Sequence, residues 1–353
     1  MSELQIRRDD ISVTRIAERE RPEPAEGEVL LRVDRFGYSA NNVTYAVAGD
    51  TLNYWRFFPT GDEMWGLVPV WGFAEVVASN TVEIAVGERL FGYLPPRKHL
   101  VVKPSRVGAE QFVDATPHRA ELAAGYNVYR RTGVMSADAE ARHMLLWPLY
   151  VTSWCLADAL ERDRRFGAER IVVASASSKT AIGLAFALSR QKERVPVIGL
   201  TSKRNVAFVE GLGLYDTVLA YDDLGTLDGT PTAIVDMSGD AAMLGRLHRH
   251  LGDAMRRTLD VGLTHWEAPR RAEGRNRERS TFFFAPAHIQ ERIREWGPQT
   301  FAERTGAFMR EATEDSRRWL ELEEVFGLEA LAKLHVAIAQ GTSDAAKGFV
   351  VTP

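Results

Sequence analysis

The sequence predicts an α/β protein of two parts, a β-rich part followed by a doubly wound parallel sheet. Roughly the first 110 residues read as short strands separated by Gly and Pro. From Tyr150 onwards, segments with helical apolar spacing alternate with short runs of β-branched residues. Strands that alternate with helices in this way form βαβ units, which build parallel sheets covered on both faces.

The composition is that of a globular protein large enough for two domains. The chain has 353 residues, of which 45% are hydrophobic and 26% are charged. Its 44 Lys and Arg residues against 48 Asp and Glu residues give a formal charge of -4, so no global basic field attracts nucleic acid or an anionic membrane. We therefore expect small molecules or other protein chains as partners.

Cysteine content and apolar segments bear on the cellular compartment. The single cysteine, Cys155, excludes an intramolecular disulfide and any site that needs two or more thiolates. The N-terminal segment has no apolar core of signal-peptide length, and no stretch approaches the roughly 20 apolar residues that span a bilayer. We expect a cytoplasmic protein.

The predicted elements follow one another in a consistent order. In the first part we expect strands at 27–39, 70–80, 88–95 and 99–105. In the second part we expect helices at 151–166, 180–191, 203–214 and 242–251, and strands at 170–177, 196–202, 216–221, 232–239 and 255–263. The charged segment 267–280 is interpreted as a solvated loop in preference to a phosphate or acidic-partner site. The remaining predictions are an apolar run at 281–286, a helical stretch from His288 to about Gly327, a helix at 328–340 and a strand at 348–353.

The segment 171–183 reads as a strand, a turn of small residues and the start of a helix. Such a turn lets the backbone approach a pyrophosphate, to which the helix N-terminus offers N–H groups and a positive dipole end. Here Ala176, Ser178 and Ala181 replace the usual three glycines. Polar groups come from Ser177, Ser178, Lys179 and Thr180. On its own the motif is equally compatible with a mere tight turn.

The end of the second predicted strand of this sheet indicates the cofactor. An acidic residue about 20 residues after the turn would select NAD by binding the ribose 2′-hydroxyl. No acid is present there, and Thr201, Ser202, Lys203 and Arg204 offer hydroxyls and positive charge instead. These groups suit the 2′-phosphate of NADP. The alternative is that Lys203 and Arg204 form the solvated start of a helix.

Several segments, in order, resemble the medium-chain dehydrogenase/reductase superfamily, and especially its zinc-free quinone oxidoreductase and enoyl reductase branch. They are 22–42, 70–95, 148–153, 234–239 and 347–353. The aromatic stretch 282–286 and the turn 177–183 resemble a divergent, largely uncharacterised group within it. The resemblance implies a GroES-like catalytic domain at 1–144, completed by 288–353, and a Rossmann coenzyme domain at 145–287.

The resemblance also shows where this chain departs from zinc-dependent members. Ser39 stands where those members have a thiolate, and Leu67, Val68 and Pro69 stand in place of their Gly-His-Glu. Tetrahedral zinc requires Cys or His ligands in such positions. The four clustered cysteines of a structural zinc site are likewise absent from the sequence. We therefore expect no metal site.

A zinc-free reductase of this kind needs hydrogen-bond donors for the enolate or alkoxide that forms as hydride reaches the substrate. The resemblance makes Tyr54 the candidate proton donor, and Asn42 and Thr44 are further candidate donors in the first domain. The alternative is that Tyr54 packs with its aromatic neighbours. The aromatic residues of this region are Tyr54, Trp55, Phe57, Phe58, Trp65 and Trp71. Together they imply a pocket for an apolar or aromatic substrate.

The cofactor is expected to be NADP(H). The residues assigned to its binding are Thr152, Ala176, Ser177, Ser178, Lys179, Thr180, Thr201, Ser202, Lys203, Arg204, Tyr221, Ser238 and Thr264. His265 follows the fifth strand beside Thr264 and is either near the nicotinamide or an incidental loop residue. His248 and His250 are two residues apart on a predicted helix, so their side chains lie on different faces. This spacing argues against binding of one metal ion by both.

Three functions stay open at this stage. The first is an NADPH-dependent reductase acting on an enone, quinone or ketone. The second is a non-redox enzyme with lyase or retro-aldol-type chemistry, and the third is a catalytically silent protein that binds NADPH or another ligand. The apolar run 281–286 is either an interface strand of a homodimer or a buried strand of one subunit.

Overall fold

The computed structural model describes residues 1–261 and 274–353. Its strands are β1 (Ser2–Arg7), β2 (Thr14–Glu18), β3 (Val29–Tyr38), β4 (Trp65–Gly66), β5 (Val70–Ser79), β6 (Arg89–Leu94), β7 (His99–Val102), β8 (Pro104–Ser105), β9 (Gln111–Asp114), β10 (Val128–Arg131), β11 (Arg170–Ala174), β12 (Val197–Thr201), β13 (Thr217–Ala220), β14 (Thr232–Asp236), β15 (Met255–Asp260), β16 (Ser280–Phe282), β17 (Glu321–Phe326) and β18 (Lys347–Thr352). Its helices are α1 (Ala40–Val47), α2 (Ala137–Arg162), α3 (Lys179–Ser189), α4 (Val206–Leu212), α5 (Ala241–Leu251), α6 (Ala285–Trp296), α7 (Pro298–Asp315) and α8 (Leu328–Ala339). None of these helices combines the length and the apolar character needed to cross a membrane.

The chain divides into two compact units. The first consists of Met1–Leu145 and Leu320–Pro353, and the second of Leu146–Trp319. The sequence placed the return to the first unit at about His288, whereas in the structure it begins at Leu320. Helices α6 and α7 therefore belong to the second unit.

The packing of α6 and α7 explains this difference. His288 and Arg292 of α6 both bind the carboxylate of Asp158 on α2, at 2.7 and 2.6 Å. Phe308 of α7 packs against the apolar cluster on one face of the second unit's sheet. Charge pairing and apolar burial thus hold the segment in the second unit, and neither can be read from helical periodicity alone.

The first unit is built on a sheet with the strand order β17-β18-β3-β5-β6-β10-β9-β8, in which β7 also pairs with β3. β3 is ten residues long and pairs antiparallel with β5, β7 and β18. A second sheet has the order β2-β1-β4. The buried His335 of α8 connects the two, since its ring nitrogens lie 2.7 Å from the Tyr38 hydroxyl and 2.8 Å from the Ile11 carbonyl. The predicted β-rich first part is confirmed.

The second unit contains a parallel sheet with the order β13-β12-β11-β14-β15-β16. Every residue of β11, β12 and β14 is buried, as expected of strands covered on both faces. Leu184 of α3 and Leu156 of α2 belong to one apolar cluster, and Leu244 and Leu247 of α5 belong to another. The predicted doubly wound parallel sheet is confirmed.

Helix α2 is longer than the sequence predicted. The pattern indicated a helix from residue 151, but α2 begins at Ala137 and continues through Pro148. Ser136 starts it, because its hydroxyl accepts a hydrogen bond from the Ala139 amide at 3.2 Å. The sequence prediction rested on the helical apolar spacing from residue 151, and proline disfavours a helix interior. Burial of apolar side chains such as Leu146 overrides that local preference.

The segment 321–326 was predicted to be helical, and this prediction is wrong. It forms β17, which pairs in parallel with β18 from Glu321↔Lys347 to Phe326↔Thr352. Acidic and apolar residues nearly alternate in Glu-Leu-Glu-Glu-Val-Phe, which is compatible with an edge strand. The strong helical pattern of α7 directly before it obscured this change of period.

Candidate cofactor site and candidate proton donor

The turn that follows β11 begins with a left-handed residue. Ser175 adopts φ 60°, a region that glycine prefers. Its amide donates a hydrogen bond to the Tyr221 hydroxyl at 3.1 Å. The amide of Ser178 donates to the Ser175 carbonyl at 2.9 Å, and that of Ala176 donates to the Leu200 carbonyl of β12, also at 2.9 Å. These bonds hold a tight strand-to-helix turn without a glycine.

Side chains from neighbouring strand ends support the same turn. The Tyr215 hydroxyl donates to the Ala176 carbonyl at 3.0 Å. The Ser177 hydroxyl accepts hydrogen bonds from the Asn205 side-chain amide at 3.0 Å and from the Thr201 hydroxyl at 3.3 Å. Ser177 therefore links the turn to the end of β12.

The N-terminus of α3 follows directly. Ser178 is its N-cap, and the Ser178 hydroxyl accepts a hydrogen bond from the Ala181 amide at 3.3 Å. Lys179 and Thr180 form the first turn and are half-buried. The early amides of a helix lack intrahelical acceptors and lie at the positive end of its dipole. This end of α3 therefore has the character of an anion-binding site.

A residue that sequence reasoning passed over, Gly183, lets α3 lie close against α2. A Cβ at this position would be 2.6 Å from the Tyr150 ring and 2.7 Å from the Ser153 hydroxyl oxygen. That hydroxyl donates to the Thr180 carbonyl at 2.7 Å. Gly183 thus permits the close contact of α3 with α2. A glycine inside an otherwise apolar helix was the available signal.

Polar groups cluster at the end of β12. Thr201 is buried, and the buried Ser202 hydroxyl has no hydrogen-bond partner within residues 1–261 and 274–353. Lys203 and Arg204 are exposed in the short turn after it. The hydrogen bonds to Ser177 tie this region to the turn after β11. The four residues predicted to select NADP are therefore adjacent to the candidate pyrophosphate turn.

Two carboxyl groups that the sequence did not single out lie at the ends of β14 and β15. Asp236 accepts hydrogen bonds from the Ser238 amide at 2.8 Å, the Ser238 hydroxyl at 2.6 Å and the Gly239 amide at 3.0 Å. Burial raises the pKa of Asp236 to about 6. Its neighbour in the sheet register, Asp260, binds Arg275, and burial raises the pKa of Asp260 as well. Ser238 thus orders the loop after β14.

The other residues assigned to the cofactor have varied placements. Tyr221 is half-buried, and burial raises the pKa of its phenol. A neutral hydroxyl therefore accepts the hydrogen bond from the Ser175 amide. Thr152 donates to the Pro148 carbonyl within α2 at 3.2 Å. Thr264 and His265 lie outside the described residues.

In the first unit, Tyr54 begins a short 3-10 turn and is 6% exposed. Its hydroxyl oxygen is 3.1 Å from that of Tyr126. Burial raises the pKa of Tyr54, which keeps the phenol protonated. A neutral phenol can donate a hydrogen bond or a proton to a developing oxyanion.

Tyr54 lies within a set of touching rings, here named the aromatic cluster. Its members are Tyr45, Tyr54, Phe57, Trp71, Tyr93 and Tyr126. The Trp71 indole N–H donates to the Tyr45 hydroxyl at 3.1 Å. Of the predicted aromatic pocket residues, Phe58 is tilted against Tyr93 with ring centroids 6.1 Å apart, whereas the Arg15 guanidinium lies 4.1 Å from the centre of the Trp65 ring.

The side chains of Asn42 and Thr44 both make hydrogen bonds with the backbone at the start of α1. The Asn42 side-chain oxygen accepts from the Ser39 amide at 2.9 Å, and its NH₂ group donates to the Pro69 carbonyl at 3.0 Å. The first of these bonds completes the capping box of α1. The Thr44 hydroxyl lies 3.5 Å from the Ala40 carbonyl of the preceding turn. The oxygen of the Asn42 amide is therefore bound at the start of α1, and one N–H of its NH₂ group is bound to Pro69.

The histidines and acids bear on the metal prediction. Within residues 1–261 and 274–353, no group of three or more His, Cys, Asp or Glu side chains could hold a metal ion. His248 is buried between the Thr258 hydroxyl at 2.9 Å and the Asn276 amide at 3.0 Å, whereas His250 is exposed. The two side chains thus lie in different environments on α5.

Residues 36–344 match the model of a family described as a protein of unknown function, DUF2855. The chain belongs to this family. No curated protein matches the sequence of this DUF2855 member.

Solved structures share the fold of this DUF2855 member. CurA from Vibrio vulnificus in complex with NADPH is 14% identical, with a TM-score of 0.63 over 100% of this chain and 99% of that chain. A mycobacterial protein complexed with NADPH is 14% identical, with a TM-score of 0.59 over 100% of both chains. A quinone oxidoreductase from Pseudomonas syringae pv. tomato DC3000 is 16% identical, with a TM-score of 0.58 over 100% of this chain and 99% of that chain. The fold implied by the reductase resemblance is confirmed.

Proposed function

We propose that the chain is an NADPH-dependent reductase that works without zinc and reduces an enone, quinone or ketone of apolar or aromatic character. The observation that carries the proposal is the turn 175–178, which leads into the N-terminus of α3 and is tied to the hydroxyl and cationic groups after β12. Structures of similar fold include two complexes with NADPH and a quinone oxidoreductase, which supports the same function.

The cofactor assignment follows from the chemistry of the donors in the second unit. The pyrophosphate would lie at the N-terminus of α3, capped by Ser178. The ribose 2′-phosphate would contact Ser202, Lys203 and Arg204, since a dianion needs cations and hydroxyl donors. The Ser202 hydroxyl is buried without a partner in the described part of the chain, so it can donate to a phosphate oxygen without losing another bond.

The chemistry of the first unit is proton donation. NADPH supplies the hydride when it is bound. The chain must then stabilise the oxyanion that forms and deliver a proton to the product. Tyr54 is the proposed donor, because it is a neutral phenol in an apolar aromatic environment. Asn42 is not part of this proposal, because both ends of its amide are bound within α1 and to Pro69.

The first experiment is a fluorescence titration of cofactor-free protein with NADPH and NADH. We expect NADPH to bind more tightly than NADH. Lys203→Ala and Arg204→Ala should each weaken NADPH binding by roughly 10- to 100-fold, because a charge-assisted hydrogen bond contributes about 1.5–3 kcal/mol. Lys192→Ala is the matched control, since Lys192 is exposed and precedes the opposite end of β12.

Each result of the titration has a defined meaning. Equal weakening of NADPH and NADH by the two variants would refute the 2′-phosphate assignment. Failure of both nucleotides to bind would refute the reductase function. When NADPH binds, its oxidation is followed with 1,4-naphthoquinone and with an aromatic enone. Binding without turnover of either would leave a ligand-binding protein as the better description.

A further inference from the structure

Tyr126 is the partner of the proposed proton donor. It lies in the 3-10 turn Ala124–Asn127, where Ala124 and Gly125 are exposed and Tyr126 is half-buried. Its hydroxyl is 3.1 Å from that of Tyr54, which is 6% exposed. The two rings are perpendicular, with centroids 5.8 Å apart. Of the two tyrosines, Tyr126 is therefore the more exposed residue and lies next to an exposed stretch of the turn.

A buried arginine holds the turn that carries Tyr126. Arg119 donates to the Tyr126 carbonyl at 3.2 Å and to the Asn127 side-chain oxygen at 3.1 Å. The Asn127 NH₂ group donates back to the Arg119 carbonyl at 2.8 Å. Arg119 is itself paired with Asp114 at 2.7 Å, and their side chains are 1% and 0% exposed.

A buried ion pair such as Arg119–Asp114 destabilises the fold unless all of its polar atoms have hydrogen-bond partners. Burying an ion pair removes both charges from water, and the remaining donors must be satisfied by further hydrogen bonds. Arg119 achieves this by also donating to the Tyr129 hydroxyl at 3.1 Å. The network fixes the backbone at Tyr126 at the position that brings its hydroxyl to Tyr54.

We propose that Tyr126 is a positioning residue that hydrogen-bonds the Tyr54 hydroxyl and passes a proton to it as Tyr54 protonates the substrate, and that the Arg119–Asp114 pair fixes the turn that presents it. This inference rests on the proposed reductase function. The hydroxyl pair, the graded exposure of the two tyrosines and the buried pair behind the turn carry it.

The proton balance is as follows for an aromatic enone. Hydride reaches the β-carbon, and the alkene electron pair moves to make an enolate. The O–H bond of Tyr54 breaks as its proton passes to the enolate. In the same step the O–H bond of Tyr126 breaks as its proton passes to the Tyr54 oxygen, and water then restores the proton of Tyr126. The product gains one hydride and one proton, and both tyrosines end the cycle neutral.

A readout in the protein without substrate tests the hydroxyl pair. The chain has 9 tyrosines, which can be labelled with ¹³C at Cζ and assigned through single Phe substitutions. Tyr126→Phe should shift the Tyr54 resonance, because it removes the hydrogen bond to that hydroxyl. Tyr93→Phe is the matched control, since Tyr93 lies in the same aromatic cluster with a hydroxyl that has no hydrogen-bond partner in the described residues. An unchanged Tyr54 resonance in Tyr126→Phe would overturn the proposal.

Kinetics with the aromatic enone test the role of the pair. Tyr126→Phe should lower kcat by roughly tenfold at unchanged NADPH affinity, and Tyr54→Phe should lower it by roughly a hundredfold. The double variant should be no slower than Tyr54→Phe, because Tyr126 acts only through Tyr54. In mixtures of H₂O and D₂O the wild-type rate should curve with deuterium content, and that of Tyr126→Phe should be linear.

The outcomes separate the inference from the function on which it rests. Additive losses in the double variant, or the same curvature in wild type and Tyr126→Phe, would overturn the role of Tyr126 while leaving the reductase intact. Absence of turnover in the wild type would overturn the reductase function, and the proton transfer with it. Full activity of Tyr54→Phe would remove the donor itself.

Discussion

The contact between α2 and α3 at Gly183 allows a quantitative prediction for Gly183→Ala. The added Cβ would lie 2.6 Å from the Tyr150 ring and 2.7 Å from the Ser153 hydroxyl oxygen. Normal non-bonded contacts are about 3.5–4.0 Å, so the two helices must separate by roughly 1 Å. Overpacking of this kind costs about 1–3 kcal/mol. Displacement of Ser153 also weakens its 2.7 Å hydrogen bond to the Thr180 carbonyl, at a cost of about 1 kcal/mol.

The better helix propensity of alanine offsets about 1 kcal/mol of this cost. We therefore expect Gly183→Ala to lower the free energy of unfolding by about 1–3 kcal/mol. Gly211→Ala is the control, since Gly211 lies in α4 with nothing within 4 Å of an added Cβ. The same chemical change there should be neutral or stabilising by up to about 1 kcal/mol.

Urea unfolding followed by circular dichroism measures both variants against the wild type, and NADPH titration of each follows. Because Thr180 lies in the first turn of α3, Gly183→Ala should also weaken NADPH binding, and Gly211→Ala should not. Equal unfolding midpoints for Gly183→Ala and the wild type would refute the close approach of α2 and α3. Equal shifts in both variants would show that helix propensity alone decides the outcome.

Three further predictions concern single side chains. Ser177→Ala removes the hydroxyl that accepts hydrogen bonds from Asn205 and Thr201. It should lower the free energy of unfolding by about 1 kcal/mol and weaken NADPH binding. Ser189→Ala, at the other end of α3, is the control for NADPH affinity in the same titration. Tyr93→Phe removes a buried hydroxyl without a partner in the described residues and should be neutral or stabilising by up to about 1 kcal/mol in urea unfolding; a loss above that would show a hidden partner. Burial lowers the pKa of His248 from 6.5 to about 4, so the folded state binds fewer protons than the unfolded state between these values, and stability should fall by about 3 kcal/mol as the pH drops through this window. His248→Gln should show a shallower pH dependence than the wild type, and identical slopes would contradict the shift.

The sequence was sufficient for the elements whose local pattern and environment agree. The buried parallel strands β11, β12 and β14 are continuous apolar runs, and α3 and α5 begin at the capping residues Ser178 and Asp240. It was insufficient where long-range packing decided the outcome. Helix α2 passes through Pro148, and β17 forms only because β18 lies beside it. Neither the packing that extends α2 nor the pairing of β17 with β18 can be identified from local periodicity.

The site shows the same division. Small residues at 175–178 and the cations after β12 are visible as sequence, because residue type alone carries the chemistry. The partners of these residues are distant in the chain: the Tyr221 hydroxyl binds the Ser175 amide, and Tyr126 meets Tyr54 across 72 positions. Asn42 was predicted as a donor from its residue type, and only the structure shows that its amide oxygen belongs to a capping box.

The hydrogen bonds at the turn after β11 explain how a tight turn without glycine can hold a left-handed residue. A glycine turn reaches a left-handed conformation at no steric cost, whereas Ser175 at φ 60° costs about 1 kcal/mol or more. The bonds from the Ser175 amide to Tyr221, and from Tyr215 to the Ala176 carbonyl, offset that cost by stabilising one conformation. Glycine would leave the turn adaptable, while this network holds it in one shape. The turn therefore depends on Tyr215 and Tyr221, residues outside any local motif, so a search for a glycine pattern misses the feature that maintains it.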